Sequence, residues 1–227
     1  MLEFATWAIT GAVGRTANAI YGATHAGSPR RYCIAAGYRH RDEPHFFDDT
    51  GNTENWQREV YQYAQNLLAG RGLRRVYDVG CGSGYKLVRY LGDFDTVGFD
   101  LPATVAFLRE KYPERRWEVG DFAASVEAPD LAVCSDVIEH LPDPDALMTF
   151  LTRMKAPHVI LSTPTRRLLY RRSSSFQFGP PANPSHCREW NFDEFAEYVS
   201  AYFTIVDHRI TNREQGTQMI YCVRTAT

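Results

Sequence analysis

The chain has 227 residues, 44% of them apolar and 23% charged, with a formal net charge of −2. That is ordinary globular composition, sized for one α/β domain or one domain with a small cap, and nothing in it pulls the protein globally towards nucleic acid or an anionic membrane. Cys33, Cys81, Cys134, Cys187 and Cys222 lie far apart with no C-x-x-C pair, which reads as reduced thiols in a cytoplasmic protein and argues against structural zinc.

At the N-terminus, Phe4 to Val13 is mildly apolar and Ala17-Asn18-Ala19 has the form of a signal-peptidase site. Glu3 stands where a signal would carry positive charge, and Arg15 interrupts the run, so neither a targeting segment nor a membrane span is expected. Leu2, Ala5, Ile9, Val13, Ala17, Ile20 and Tyr21 follow helical spacing, which predicts an amphipathic helix weakened by Gly11 and Gly14. Gly27 to Gly51 reads as loop, with Phe46-Phe47 as an anchor. A helix is expected over Thr53 to Leu68, with Val60, Ala64, Leu67 and Leu68 as its buried stripe and Gly70 and Gly72 as its stop.

Strands and helices then alternate. Strands are expected at Arg74–Val79, Thr96–Phe99, Trp117–Val119, Leu131–Ser135 and His158–Ser162, and helices at Tyr85–Leu91, from Pro102 onward and at Asp143–Met154. That order predicts a parallel sheet covered on both faces. Thr163 to Trp190 breaks the rhythm with four prolines and three consecutive serines, which marks a functional loop. Asn191 with Glu194 three residues on forms a capping box for one more helix. Phe203–Ile210 and Gln218–Val223 read as two last strands. The expected division is an extension over 1–72, acting as a substrate cap, and a catalytic domain over 73–227 with a lid at 163–190.

The sharpest motif is Asp78-Val79-Gly80-Cys81-Gly82-Ser83-Gly84, a strand running into alternating glycines and then a helix. Glycine allows the tight turn and lets a ligand lie against bare backbone. A dinucleotide enzyme uses such a turn for pyrophosphate. Here Asp78 is poor company for phosphate and suits a cationic aminoacyl-sulfonium group, and Tyr85 occupies the place of the third glycine of G-x-G-x-x-G. Asp100 ends the second strand, where a carboxylate accepts both ribose hydroxyls. Gly120-Asp121-Phe122 follows the third strand, with Asp121 placed to accept from an adenine amino group and Phe122 to stack on the ring. The plain alternative is that both aspartates are turn residues.

These segments, with Gly98-Phe99-Asp100 and Ser135-Asp136-Val137-Ile138-Glu139-His140-Leu141-Pro142-Asp143-Pro144, resemble the class I S-adenosylmethionine (SAM)-dependent methyltransferases over residues 74–224. The resemblance implies a Rossmann-like α/β fold with a seven-stranded, mostly parallel sheet and a reversed last strand. It implies SAM as cofactor and contacts from Asp78, Gly80, Cys81, Gly82, Asp100, Leu101, Asp121, Phe122 and Ser135. Asp136, Glu139 and His140 form a D-x-x-E-H cluster that looks like the E-x-x-E-H segment of ubiquinone-biosynthesis O-methyltransferases, and that likeness implies Mg²⁺ or Mn²⁺. The alternative is that the segment caps a helix and lines the pocket.

His140 is a candidate general base with or without metal, and His186 is the second. The Gly179-Pro180-Pro181 and Asn183-Pro184-Ser185-His186 stretch resembles segments of methyltransferases linked to glycans and natural-product sugars, which implies a substrate lid. Arg166, Arg167, Arg171 and Arg172 read either as a grip on a phosphate or uronate or as a solvated charged loop. The expected function is O-methylation of a small-molecule or oligosaccharide acceptor, a sugar or glycan first. The alternatives are a phenol or catechol acceptor, N-methylation, or a catalytically silent SAM-binding protein. A homodimer is a candidate assembly.

Overall fold

The computed structural model describes residues 2–53, 56–124, 126–171 and 173–225. The chain opens with α1 (Leu2–His25) and, after an extended loop, α2 (Arg58–Arg71). It then alternates β1 (Arg75–Val79), α3 (Tyr85–Leu91), β2 (Asp95–Asp100), α4 (Pro102–Lys111), β3 (Arg116–Val119) and β4 (Leu131–Ser135). A 3₁₀ turn at Ile138–His140 leads to α5 (Pro144–Arg153) and β5 (His158–Pro164). The segment that follows holds only α6 (Arg166–Leu169) and a 3₁₀ turn at Ser174–Phe176, before α7 (Phe192–Ser200), β6 (Phe203–Asn212) and β7 (Thr217–Arg224).

The seven strands form one sheet in the order β3-β2-β1-β4-β5-β7-β6, and β7 runs antiparallel to both neighbours. This is the expected sheet with its reversed last strand. The central strands are buried along almost their whole length, β4 entirely, as parallel strands covered on both faces must be. One face packs Val79, Ala132, Cys134, Leu147, Leu151 and Phe195, and the other packs Val60, Leu68, Val76, Val133 and Ile160. Among the described residues, no helix is long and apolar enough to cross a membrane.

α2 begins later than the sequence suggests, because Gln57 adopts a left-handed backbone (φ 61°) and sends its amide to Asp136. Its stop at Gly72 (φ 67°) is as read, and Val60, Ala64 and Leu68 are buried as the stripe requires. Asn191 and Glu194 form the expected reciprocal capping box at α7. Glu194 does more than cap, since it also accepts from the Ala35 backbone and from Arg166.

Two segments far apart in sequence combine over the strand tips. The Arg39 amide donates to Phe178, the Arg41 amide to Cys187 and the His45 amide to Pro184. The Arg41 guanidinium donates to the carbonyls of Pro181, Asn183 and His186 at 2.6–2.9 Å. The loop before α2 and the lid thus form one roof. α1 joins it where Asn18 donates to the Ser174 carbonyl and Tyr21 packs on Phe178.

Candidate active site

A cleft of about 780 Å³ lies between the C-terminal strand tips and this roof, where open α/β sheets bind ligands. Its floor is the glycine loop. Gly80 (φ 77°) turns so closely under Val137 that a Cβ there would overlap that side chain, and the Gly80 amide donates to Phe99 on β2. Asp100 closes β2 with one carboxylate oxygen accepting from the Gly82 amide and the other from the Leu101 amide, both at 2.8 Å. That fixes its orientation at the cleft wall.

Of the residues read from sequence as cofactor contacts, Gly80, Cys81, Gly82, Asp100, Leu101, Phe122 and Ser135 line the cleft. Asp78 and Asp121 do not. Asp121 is exposed, and its side chain accepts from the Ala123 amide, which is the turn role that aspartate commonly fills. Asp78 is fully buried behind the floor, and both its oxygens accept from Tyr61, at 3.0 and 3.2 Å. Burial pushes the Asp78 carboxyl up to about 7, opposed by the Tyr61 hydrogen bond and the nearby Lys86 charge. Tyr61 and Lys86 line the cleft in front of it. Lys86 is itself buried and had no signature in the sequence.

His140 and His186 line the same cleft. His140 donates from Nδ1 to the Ser185 carbonyl at 2.8 Å, and its ring stacks on Phe47. His186 meets it edge-on, with ring centroids 4.8 Å apart. His186 Nδ1 lies 2.7 Å from Glu189, which is fully buried, and Nε2 lies 2.9 Å from the Asn183 amide. Burial lowers the His140 imidazole to about 4, reinforced by His186 and opposed by the Ser185 hydrogen bond, so the ring is neutral at physiological pH. Burial also pushes the Glu139 carboxyl well above its usual range, with Asp136 adding to the shift.

Glu139, His140 and His186 present donor atoms that all lie within 4.8 Å of one another. Asp136 is not among them. Its residue is left-handed (φ 52°), and its carboxylate accepts from Gln57 at 2.8 Å and Ser162 at 2.6 Å. The D-x-x-E-H spacing brings Glu139 and His140 together, and the lid supplies the third donor. Glu189 was missed as a partner of His186, although its i+3 spacing in the lid was there to read.

Of the arginines read as a possible anion grip, Arg166 is turned inward. Arg166 is buried, donates to the Glu189 carbonyl, pairs with Glu194 at 2.9 Å and lies over the Tyr38 ring. It is an internal strut. Arg167 and Arg171 are exposed, and Arg172 lies outside the described residues.

The methyltransferase-domain family matches residues 50–206, well over half of the chain. Similar solved structures include magnesium protoporphyrin IX methyltransferase from Synechocystis PCC 6803 with S-adenosylhomocysteine bound. It has TM-score 0.56 and 19% identity, covering 77% of this chain and 90% of that one. The N-methyltransferase NodS from Bradyrhizobium japonicum WM9, also with S-adenosylhomocysteine, has TM-score 0.57 and 14% identity over 78% and 95%. The 1,6-didemethyltoxoflavin-N1-methyltransferase from Burkholderia thailandensis has TM-score 0.54 and 23% identity over 76% and 82%. A comparison with curated proteins finds no match. At these identities the structural likeness speaks for the fold alone. With the family match, the sheet order and the glycine-loop cleft agreeing, the chain belongs to the methyltransferase-domain family and is a class I SAM-dependent methyltransferase.

Proposed function

We propose that the protein methylates a hydroxyl oxygen of a small polar acceptor, a sugar or glycan first. In this reading SAM lies along the floor, its ribose hydroxyls on Asp100, its adenine against Phe122 and Leu101, and its aminoacyl end over Gly80 and Gly82. The observation that carries the reading is the convergence of Glu139, His140 and His186 in the same cleft. In-line methyl transfer mostly needs positioning. A hydroxyl acceptor also needs its proton removed, and paired imidazoles beside a carboxyl are equipment for that task. A catalytically silent binder has no use for it.

The cleft wall supports the carbohydrate preference. Phe46, Phe47 and Trp56 stay substantially exposed at the cleft and offer flat apolar faces, while Gln57, Asp136 and Asn183 bring polar groups beside them. Few polar groups set among aromatic surface is how polar ligands are oriented and held. The lowered His140 imidazole favours a second reading, since a weak proton acceptor suits a more acidic hydroxyl such as a phenol or catechol.

The test is turnover of labelled SAM against panels of sugars and glycans, phenols and catechols, and amines. Methyl transfer to carbohydrate hydroxyls is the expected result. Turnover of phenols alone selects the second reading, and turnover of amines alone overturns hydroxyl methylation.

A further inference from the structure

The two histidines of the cleft are each anchored by one ring nitrogen. Nδ1 of His140 is committed to the Ser185 carbonyl and Nδ1 of His186 to Glu189. Both contacts set the Nδ1–H tautomer and leave Nε2 with its lone pair. A protein acceptor behind each imidazole, carboxylate or carbonyl, is the arrangement that orients histidine ligands around a metal and raises their basicity. Beside them Glu139 is only 1% exposed, and its carboxylate accepts from Thr163 at 3.0 Å. Among the described residues no lysine or arginine forms an ion pair with it. A carboxylate buried without a cation is costly.

We infer that Glu139, His140 and His186 bind a first-row divalent transition cation of the Zn²⁺, Co²⁺ or Mn²⁺ type, and not Mg²⁺. Their donor atoms lie within 4.8 Å of one another. Ligands about 2.1 Å from one cation stand roughly 3–4 Å apart, so side-chain rotation closes the set. The cation takes the place of the Asn183 amide at His186 Nε2. Two imidazoles and one carboxylate are a nitrogen-rich set, whereas Mg²⁺ prefers an all-oxygen shell that keeps its waters. Three protein donors facing an open cleft leave room for water or an acceptor oxygen, as in catalytic and unlike closed structural sites. A cation here would supply Lewis acidity, lowering the pKa of a hydroxyl that it binds; the two imidazoles would then serve as its ligands in place of direct proton acceptors, and the proton would pass to water in the open cleft. The lid and the turn after β4 each contribute to the set, so binding also ties roof to floor.

The inference rests on the hydroxyl-methylation reading for the cation's purpose, and on geometry alone for its binding. The experiment is titration of the chelator-treated full-length protein with Co²⁺, read by its visible absorption, with Zn²⁺ and Mg²⁺ as competitors. One saturating equivalent is expected, displaced by Zn²⁺ and not by equimolar Mg²⁺. His186→Ala and Glu139→Gln should lose the spectrum while still binding S-adenosylhomocysteine, which shows that they fold. Glu189→Gln should weaken binding about 10- to 100-fold, as removal of an outer carboxylate does. Asp136→Asn should keep the spectrum. Absence of a saturable spectrum, an unchanged spectrum in His186→Ala, or equal competition by Mg²⁺ overturns the site. If hydroxyl acceptors turn over fully in excess chelator and no spectrum forms, the cation fails while hydroxyl methylation stands. If the spectrum forms but only amines are methylated, the site stands and its stated purpose fails.

Discussion

Along the floor of the cleft, Gly80 and Gly82 are held by hydrogen bonds to a strand about 20 residues away, whereas across the roof Arg39, Arg41 and Arg188 reach carbonyls 46 to 145 residues distant. The floor is a local construction in which backbone conformation dictates residue type. The roof is a long-range one in which a few side chains gather whatever backbone lies near them. If SAM lies along the floor as proposed, cofactor binding should survive damage to the roof, and the acceptor chemistry should not.

The sharpest way to break that division is at the histidines. His186→Ala and His140→Ala should each lower turnover by about 10²–10⁴, the usual cost of losing assistance to proton transfer. Calorimetry should find S-adenosylhomocysteine affinity nearly unchanged in both. Normal turnover in either variant removes that residue from the chemistry, and a matching loss of cofactor affinity would mean that floor and roof are one site.

Arg166→Ala tests whether the roof is held together from inside. Removing one partner of a buried ion pair typically costs about 3–5 kcal/mol. Arg166 is 1% exposed and Glu194 13%, so denaturant unfolding should show a loss of that order. A fully stable variant with only a raised acceptor KM would restore the anion-gripping role that its sequence suggested.

Asp100→Ala attacks the floor alone. Hydrogen bonds to a charged group are worth about 1.5–3 kcal/mol, so cofactor affinity should fall about 10- to 100-fold, with acceptor specificity unchanged at saturating SAM. Undiminished affinity would show that the ribose lies elsewhere.

The smallest effect concerns pH. Asp78 is raised in the folded protein to about 7, so the stability it contributes is present at low pH and lost as pH rises through 7. Between pH 6.5 and 8 the apoprotein should lose about 1 kcal/mol through this group. His140, lowered to about 4, has the opposite sign, but its window closes near pH 6.5. Asp78→Asn should flatten the slope. A persisting slope would point to the other raised buried carboxyls, Glu139 and Asp136.

How much of this was legible follows the same division. The strands, the reversed β7, the capping box at Asn191 and the floor residues from Gly80 to Asp100 announce themselves in short stretches, because hydrophobic runs and alternating glycines are local consequences of the fold. The lid was legible as a place, through its prolines, but not as a structure. That Arg166 is a strut, that Asp136 turns to Gln57, and that His186 completes a set with Glu139 depend on segments from 28 to 79 residues apart meeting in space. No spacing rule encodes such meetings. Asp121 shows how a motif position can also serve its own turn, since its side chain accepts from the Ala123 amide.

Arg41 gives this division an evolutionary consequence. Its guanidinium binds Pro181, Asn183 and His186 only through their carbonyl oxygens, and Arg188 binds Leu141 and Pro142 in the same way. Every amino acid has that oxygen. Side chains of the segment that roofs the cleft can therefore be exchanged without breaking these particular bonds. A roof fastened by its backbone is a surface on which acceptor preference can drift one substitution at a time, while the scaffold that presents it stays intact.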